Sequence, residues 1–264
     1  MRLSRLIYIE TMTELRALLF DVDGTLADTE RDGHRVAFNR AFTEAGLDWD
    51  WTPELYGKLL AVTGGKERIL HYLDHYNTTF SRPDDLTGFV AGLHKAKTRH
   101  YTEMLAGGVI PLRPGVKRLI EEARAAGLRL AVATTTTPEN VSALLQHALH
   151  PQAMSWFEVI AAGDVVPAKK PAPDIYVYAM EKLRLTPADC IAFEDSHNGI
   201  RASMGAGLKT IIAVNGYTRH EEFPGAAIVL DQWGEPELPF QVLAGDACGH
   251  RYLDLVLVKK LHGG

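Results

Sequence analysis

The sequence predicts an α/β fold, a Rossmann-like doubly wound parallel sheet with a helical cap domain inserted near its start. Three observations carry that reading. From residue 107 onward, short apolar runs alternate with helical stretches, the pattern of parallel strands joined by right-handed crossovers. A lone apolar run, Arg16–Phe20, stands far ahead of them. Between the two, residues 29–106 show helical spacing and no strand alternation.

The elements follow in chain order. Arg16–Phe20 is the first strand, and Gly24 permits a sharp turn just beyond it. Asp28 or Thr29 caps a helix that runs to about Ala45 and stops at Gly46. Further helices lie between Trp49 and Arg99, broken at Pro53, Gly64-Gly65 and Pro83. After Gly107-Gly108 come a helix from Pro114 to Ala126, a strand from Leu128 to Ala133 and a helix from Pro138 to Ala148. A strand over Val159–Ala162, a helix over Asp174–Leu183 and a strand over Cys190–Phe193 follow. The last elements are a helix from Ser196 to Gly205, a strand from Leu208 to Val214 and a short strand at Ile228–Leu230.

The chain therefore divides into an α/β core (13–28 and 107–232), a helical cap (29–106), an N-terminal extension (1–12) and a C-terminal tail (233–264). Met12 is an alternative start, because the first strand begins soon after it. The tail opens with a proline-rich linker and closes with an apolar segment, Tyr252–Leu261, able to pack on the core or to mediate association.

Bulk properties narrow the function. Formal net charge is −5 with no long basic run, which argues against nucleic acid as a partner. No apolar stretch approaches the ~20 residues needed to cross a bilayer. Two cysteines, Cys190 and Cys248, form neither a disulfide framework nor a zinc motif. A cytoplasmic, monomeric protein handling a small anionic molecule is the expectation.

The chemistry is concentrated at strand ends, where open α/β sheets place their ligands. Asp21 and Asp23 follow the first strand: one carboxylate can attack phosphorus and the other can carry a proton to or from the ester oxygen. Thr134 and Thr135 end the second strand, and hydroxyls with free amides ahead of a helix can cradle phosphate. Lys170 sits in a loop stiffened by Pro171 and Pro173, ready to neutralise phosphoryl oxygens. Glu194-Asp195 follows a fourth strand and suits Mg²⁺, a hard, oxygen-seeking cation.

This ordered set of four motifs, Asp21/Asp23, Thr134, Lys170 and Glu194/Asp195, resembles the haloacid dehalogenase superfamily of phosphohydrolases across residues 17–230. The insert after the first motif resembles the cap of its β-phosphoglucomutase-like branch. Segments 30–39, 63–68, 94–97, 134–137 and 217–220 are similar to the CbbY-type family associated with the Calvin cycle. That resemblance implies a Mg²⁺-dependent phosphatase of xylulose-1,5-bisphosphate, a misfire product that inhibits Rubisco. It implies Asp21 as nucleophile, Asp23 as acid and base, and Mg²⁺ held by Asp21, Glu194 and Asp195 with the backbone carbonyl of Asp23.

A bisphosphate needs cations for its second phosphate. Lys66, Arg68, His94, Lys97, Arg113 and Arg219 are the candidates. Glu30, His34, Thr63, Gly64, Gly65, Thr135, Thr136 and Asn140 complete the expected substrate contacts. A sugar-phosphate mutase built on the same core, and a non-catalytic sugar-phosphate-binding module, are the competing readings. Two other patterns carry little: His71 and His75 lack a third metal ligand, and Gly205-Ala206-Gly207 follows a helix and reads as its stop.

Overall fold

The computed structural model describes residues 14–263, so the expected N-terminal extension and the Met12 start lie outside the described residues. The chain begins with β1 (Ala17–Phe20), then a π-helical turn at Glu30–His34 and four helices, α1 (Arg35–Glu44), α2 (Pro53–Leu59), α3 (Gly65–His75) and α4 (Leu86–Ala106). It continues through α5 (Val116–Ala125), β2 (Arg129–Thr134), α6 (Pro138–Leu144), β3 (Val159–Ala162), α7 (Asp174–Leu183), β4 (Cys190–Glu194) and α8 (His197–Gly205). The last elements are β5 (Lys209–Ala213), β6 (Ile228–Leu230), β7 (Val242–Gly245) and α9 (Leu255–Gly263). The sheet order is β3-β2-β1-β4-β5-β6-β7, parallel throughout except for β7.

The inner positions of the central strands are apolar on both sides because helices cover both faces. Leu18, Phe20, Leu130 and Val132 point to one side, into a core shared with α5, α6 and α9. Ala17, Leu19, Ala131 and Ala133 point to the other, where small side chains let α7 pack close through Ile175, Tyr176 and Ala179. The chain leaves β1 in one direction through β2 and β3, then returns to its other side at β4, which makes the β1/β4 boundary the topological switch point. Phe20 pairs with Phe193 there, and the Asp21 N–H donates to the Phe193 carbonyl at 3.0 Å. That register alone brings the first and fourth motifs together.

The helical insert has its own aromatic core of Phe38, Phe42, Trp49, Trp51, Tyr56 and Tyr72. Pro53 opens α2, where its fixed φ suits a first helical position, and Gly65 opens α3.

Three elements depart from expectation. Thr29 makes no side-chain cap to the first insert helix; its hydroxyl donates to Asp23 instead, and a π-helical turn precedes α1. The helix expected to run to Ala148 ends at Leu144 and continues as a π turn over Leu145–Leu149. The strand β7 has no alternation to betray it, since all four of its residues are exposed. The tail packs on the core: Trp233, Phe240, Leu253, Leu257 and Val258 join its main apolar cluster.

Candidate active site

The carboxyl ends of β1, β2 and β4 and the loop before α7 meet at one point. Lys170 Nζ donates to Asp21 Oδ1 at 2.7 Å and to Glu194 Oε1 at 2.5 Å. Tyr176 OH donates to the same Glu194 oxygen at 2.6 Å, and Thr25 Oγ1 donates to Asp21 Oδ2 at 3.1 Å. Asn215 Nδ2, from the loop after β5, donates to Asp195 at 2.6 Å. Gly24, at φ +86°, is required here twice over: the backbone is left-handed, and a Cβ would collide with the Asp195 carboxylate and the Asn215 amide.

The electrostatics are unbalanced. Asp21, Glu194 and Asp195 are all buried and each offers an oxygen within 4.8 Å of the others, yet a single ammonium faces them. Burial and the neighbouring Glu194 push Asp21 up to about 7 against the pull of Lys170. Burial, then Asp21 and Glu194, raise Asp195 well above the carboxylate range. The same carboxylates more than offset the burial of Lys170 and hold it charged. Glu194 Oε2 is buried with no hydrogen-bond partner. A hard divalent cation fits this arrangement, because it answers both the surplus charge and the unpartnered oxygen. The carboxylate of Asp23 is not in this cluster, which restricts any metal role for that residue to its main chain.

Asp23 faces the other way. Its Oδ1 accepts from Thr29 Oγ1 at 2.6 Å and lies 2.8 Å from His34 Nε2. Burial raises its carboxyl, but His34, Thr29 and Lys97 more than reverse this and hold it well below the usual range. In the free protein Asp23 is therefore ionised.

A cleft of about 380 Å³ opens beside these groups, lined by Asp21, Asp23, Glu30, Thr63, Arg68, Thr134, Thr135 and Lys170. A smaller space of about 40 Å³ adjoins it, bringing His34, Gly64, Gly65, His94, Lys97 and Thr136 together with Asp23, Glu30 and Arg68. Arg68 donates to Tyr56 OH at 2.8 Å and lies 3.9 Å from Glu30, to which Tyr56 OH also donates. Lys97 lies over the rings of Phe38 and Tyr101, and burial lowers it to about 8 against Asp23 and Glu30. Asn140 is buried behind this wall, donating to Thr136 Oγ1 at 2.9 Å.

Of the six expected phosphate cations, two are engaged elsewhere, one lies off the cleft wall and one is uncharged. Arg113 is buried and donates to the main-chain carbonyls of Gly24, Ala213, Val214 and Asp231, with Asp28 at 3.5 Å; it staples loops together and has no donor left to face substrate. Arg219 is exposed and absent from the cleft wall, where Thr218 and His220 stand. Burial, with Lys97 next in effect, lowers His94 to about 3, so it is a neutral ring at physiological pH. Lys66 bonds Asp164 at 2.6 Å.

Asn215, Tyr176 and Thr29 were missed from sequence. Asn215 carried a usable signal, a polar residue just past the strand Lys209–Ala213. Tyr176 reads as an ordinary apolar-face aromatic of a helix. The rings of His71 and His75 lie 4.3 Å apart and tilted, and the only group of three or more potential metal ligands among the described residues is Asp21, Glu194 and Asp195.

A buried carboxylate held by an ammonium at a switch point, beside an acidic cluster and beneath a helical insert, defines the class as an α/β phosphohydrolase. A family profile for haloacid dehalogenase-like hydrolases matches residues 15–207. The chain is similar to the plasmid-borne protein CbbY of Cupriavidus necator, 46% identical over 251 residues, which cover 95% of this chain and 98% of that protein. It is similar to a solved structure of a CbbY variant from Rhodobacter sphaeroides in complex with xylulose-(1,5)bisphosphate, at 50% identity and TM-score 0.78, covering 84% of this chain and 96% of that one. A β-phosphoglucomutase from Clostridium difficile, at 22% identity and TM-score 0.66 with 83% and 91% coverage, shares the fold. The chain belongs to the haloacid dehalogenase-like hydrolases and, within them, to the CbbY-type phosphatases. Among the described residues, no helix is long and apolar enough to cross a membrane.

Proposed function

We propose that the protein hydrolyses a small sugar bisphosphate of the xylulose-1,5-bisphosphate type through an aspartyl-phosphate formed on Asp21. The observation that carries this is the placement of Asp21 Oδ1 against Lys170, with Thr134 lining the same cleft. Support also comes from the bisphosphate bound by the Rhodobacter sphaeroides relative.

In this reading a carboxylate oxygen of Asp21 attacks phosphorus and the bond to the sugar oxygen breaks. Lys170 and Thr134 hold the equatorial oxygens, where positioning and charge do most of the work of phosphoryl transfer. Asp23 takes up a proton as the substrate's negative charge seats opposite it, and passes that proton to the leaving sugar oxygen. It then accepts a proton from the water that releases phosphate from Asp21. Asp21, Glu194 and Asp195, with the main chain of Asp23, would hold Mg²⁺, which when bound supplies charge neutralisation to the phosphoryl oxygens. Arg68 and Lys97 are the cations left for the distal phosphate. The insert acts as a cap that excludes water.

Phosphate release from xylulose-1,5-bisphosphate, with a rapid-quench adduct on Asp21, is the expected result. Conversion of β-glucose 1-phosphate into glucose 6-phosphate without phosphate release would overturn it in favour of a mutase.

A further inference from the structure

Four side chains form an alternating chain of charge across the boundary between the helical insert and the core. Lys66 Nζ, in the first turn of α3, lies 2.6 Å from Asp164 Oδ2, on the turn after β3. The other oxygen of Asp164 lies 3.0 Å from Lys169 Nζ, and that same ammonium donates to Glu67 Oε1, back in α3, at 2.8 Å. The order is therefore insert, core, core, insert, with two bonds crossing the boundary. Lys169 is only 15% exposed although it is a lysine, and the two lysines draw Asp164 down to about 2.

A second observation shows that the fold makes room for this arrangement. Gly64, at φ +97°, precedes α3, and a Cβ there would collide with the Glu67 carboxylate and crowd the Lys169 ammonium. The four residues are also coupled to the chemistry. Lys169 is the neighbour of Lys170, so the loop that aims the catalytic ammonium at Asp21 is the loop that grips the insert.

We propose that Lys66, Glu67, Asp164 and Lys169 are an interdomain latch that holds the cap closed over Asp21, with Asp164 and Lys169 as positioning residues. Single exposed ion pairs contribute little. Here two pairs share a charge network and act on an open–closed equilibrium, where a small bias changes populations directly. The latch also accounts for Lys66, which serves closure and leaves distal-phosphate binding to other cations. This role for the closed cap rests on the phosphatase reading; the latch geometry does not.

The test places cysteine spin labels at Leu70 and Val177, exposed positions on α3 and α7, in a Cys248→Ser background, and measures their distance without substrate. Asp164→Asn and Lys169→Gln are expected to enlarge the long-distance population, as is high salt in the wild type. The fourfold reversal Lys66→Glu, Glu67→Lys, Asp164→Lys, Lys169→Glu is expected to restore the short distance. In turnover assays the two single variants should raise KM about 2–10-fold with a smaller change in kcat. Unchanged distance distributions in the single variants, or a reversal variant as open as they are, would overturn the latch. Loss of turnover on every sugar bisphosphate would sink the phosphatase reading while leaving the distance result to stand on its own.

Discussion

The two walls of the cleft handle buried charge by opposite means. On the sheet side, Asp21, Glu194 and Asp195 crowd three carboxylates around one ammonium, with hydrogen bonds from Thr25, Tyr176 and Asn215. On the cap side, Arg68 and Lys97 lie over aromatic rings, and carboxylates stand near enough to influence them. The sheet wall carries surplus negative charge, which readies it for a cation and a phosphoryl group. The cap wall stores positive charge on greasy supports, where it stays available to a ligand's anion. On the function proposed, one wall reacts and the other recognises.

The largest expected effect breaks the reacting wall. Asp21→Asn should lower phosphate release by about 10³-fold or more, because no other group is placed to attack. Its melting temperature should hold or rise, since a buried charge disappears; loss of folding in that variant would mean that the carboxylate is structural. Next comes removal of the divalent cation. Chelation should abolish turnover, and adding Mg²⁺ back should both restore it and raise the melting temperature with concentration. A chelated enzyme that still turns over would break the account of Asp21, Glu194 and Asp195.

The third prediction probes the recognising wall. Burial lowers Lys97 from the ordinary 10.5 to about 8. Its ammonium is present below that pH and lost above it, so KM for the bisphosphate should climb as pH passes about 8. Between about 8 and 10.5 the unfolded chain binds the extra proton, so the contribution of Lys97 to stability increases with pH across the same window. Affinity and this stability contribution moving in opposite directions would single out Lys97; parallel movement would exclude it. The smallest effect belongs to His94, already neutral at pH 7. His94→Gln should change KM by less than about 3-fold, and a larger loss, measured at pH 7, would show that its charge matters after all.

The same contrast explains what could be read from the chain itself. The three carboxylates of the reacting wall were legible because they stand at strand ends, and strand ends converge by topology; Phe20 opposite Phe193 suffices to join Asp21 to Glu194. Cations outside that frame were not legible as a set, because a lysine or arginine does not announce its partner. Arg113 resembled a phosphate ligand and proved to be a staple for four carbonyls, while Lys66 turned toward Asp164. The ionisation of Asp23 in the free protein was not legible for a related reason: it depends on His34 and Lys97, which reach it only through the folding of the insert. Strand β7 escaped notice because its four residues, Val242–Gly245, form a short run with no apolar–polar alternation.

Trp233 has a consequence for the length of chain that the chemistry requires. Its ring lies 5.9 Å from Phe20 and 5.1 Å from Phe193, the residues immediately before Asp21 and Glu194. The stretch that starts there and runs through Leu253 and Val258 is thus the underside of the reaction centre. A protein shortened to end at Gln232 would keep every group that touches phosphate and lose the keel beneath two of them.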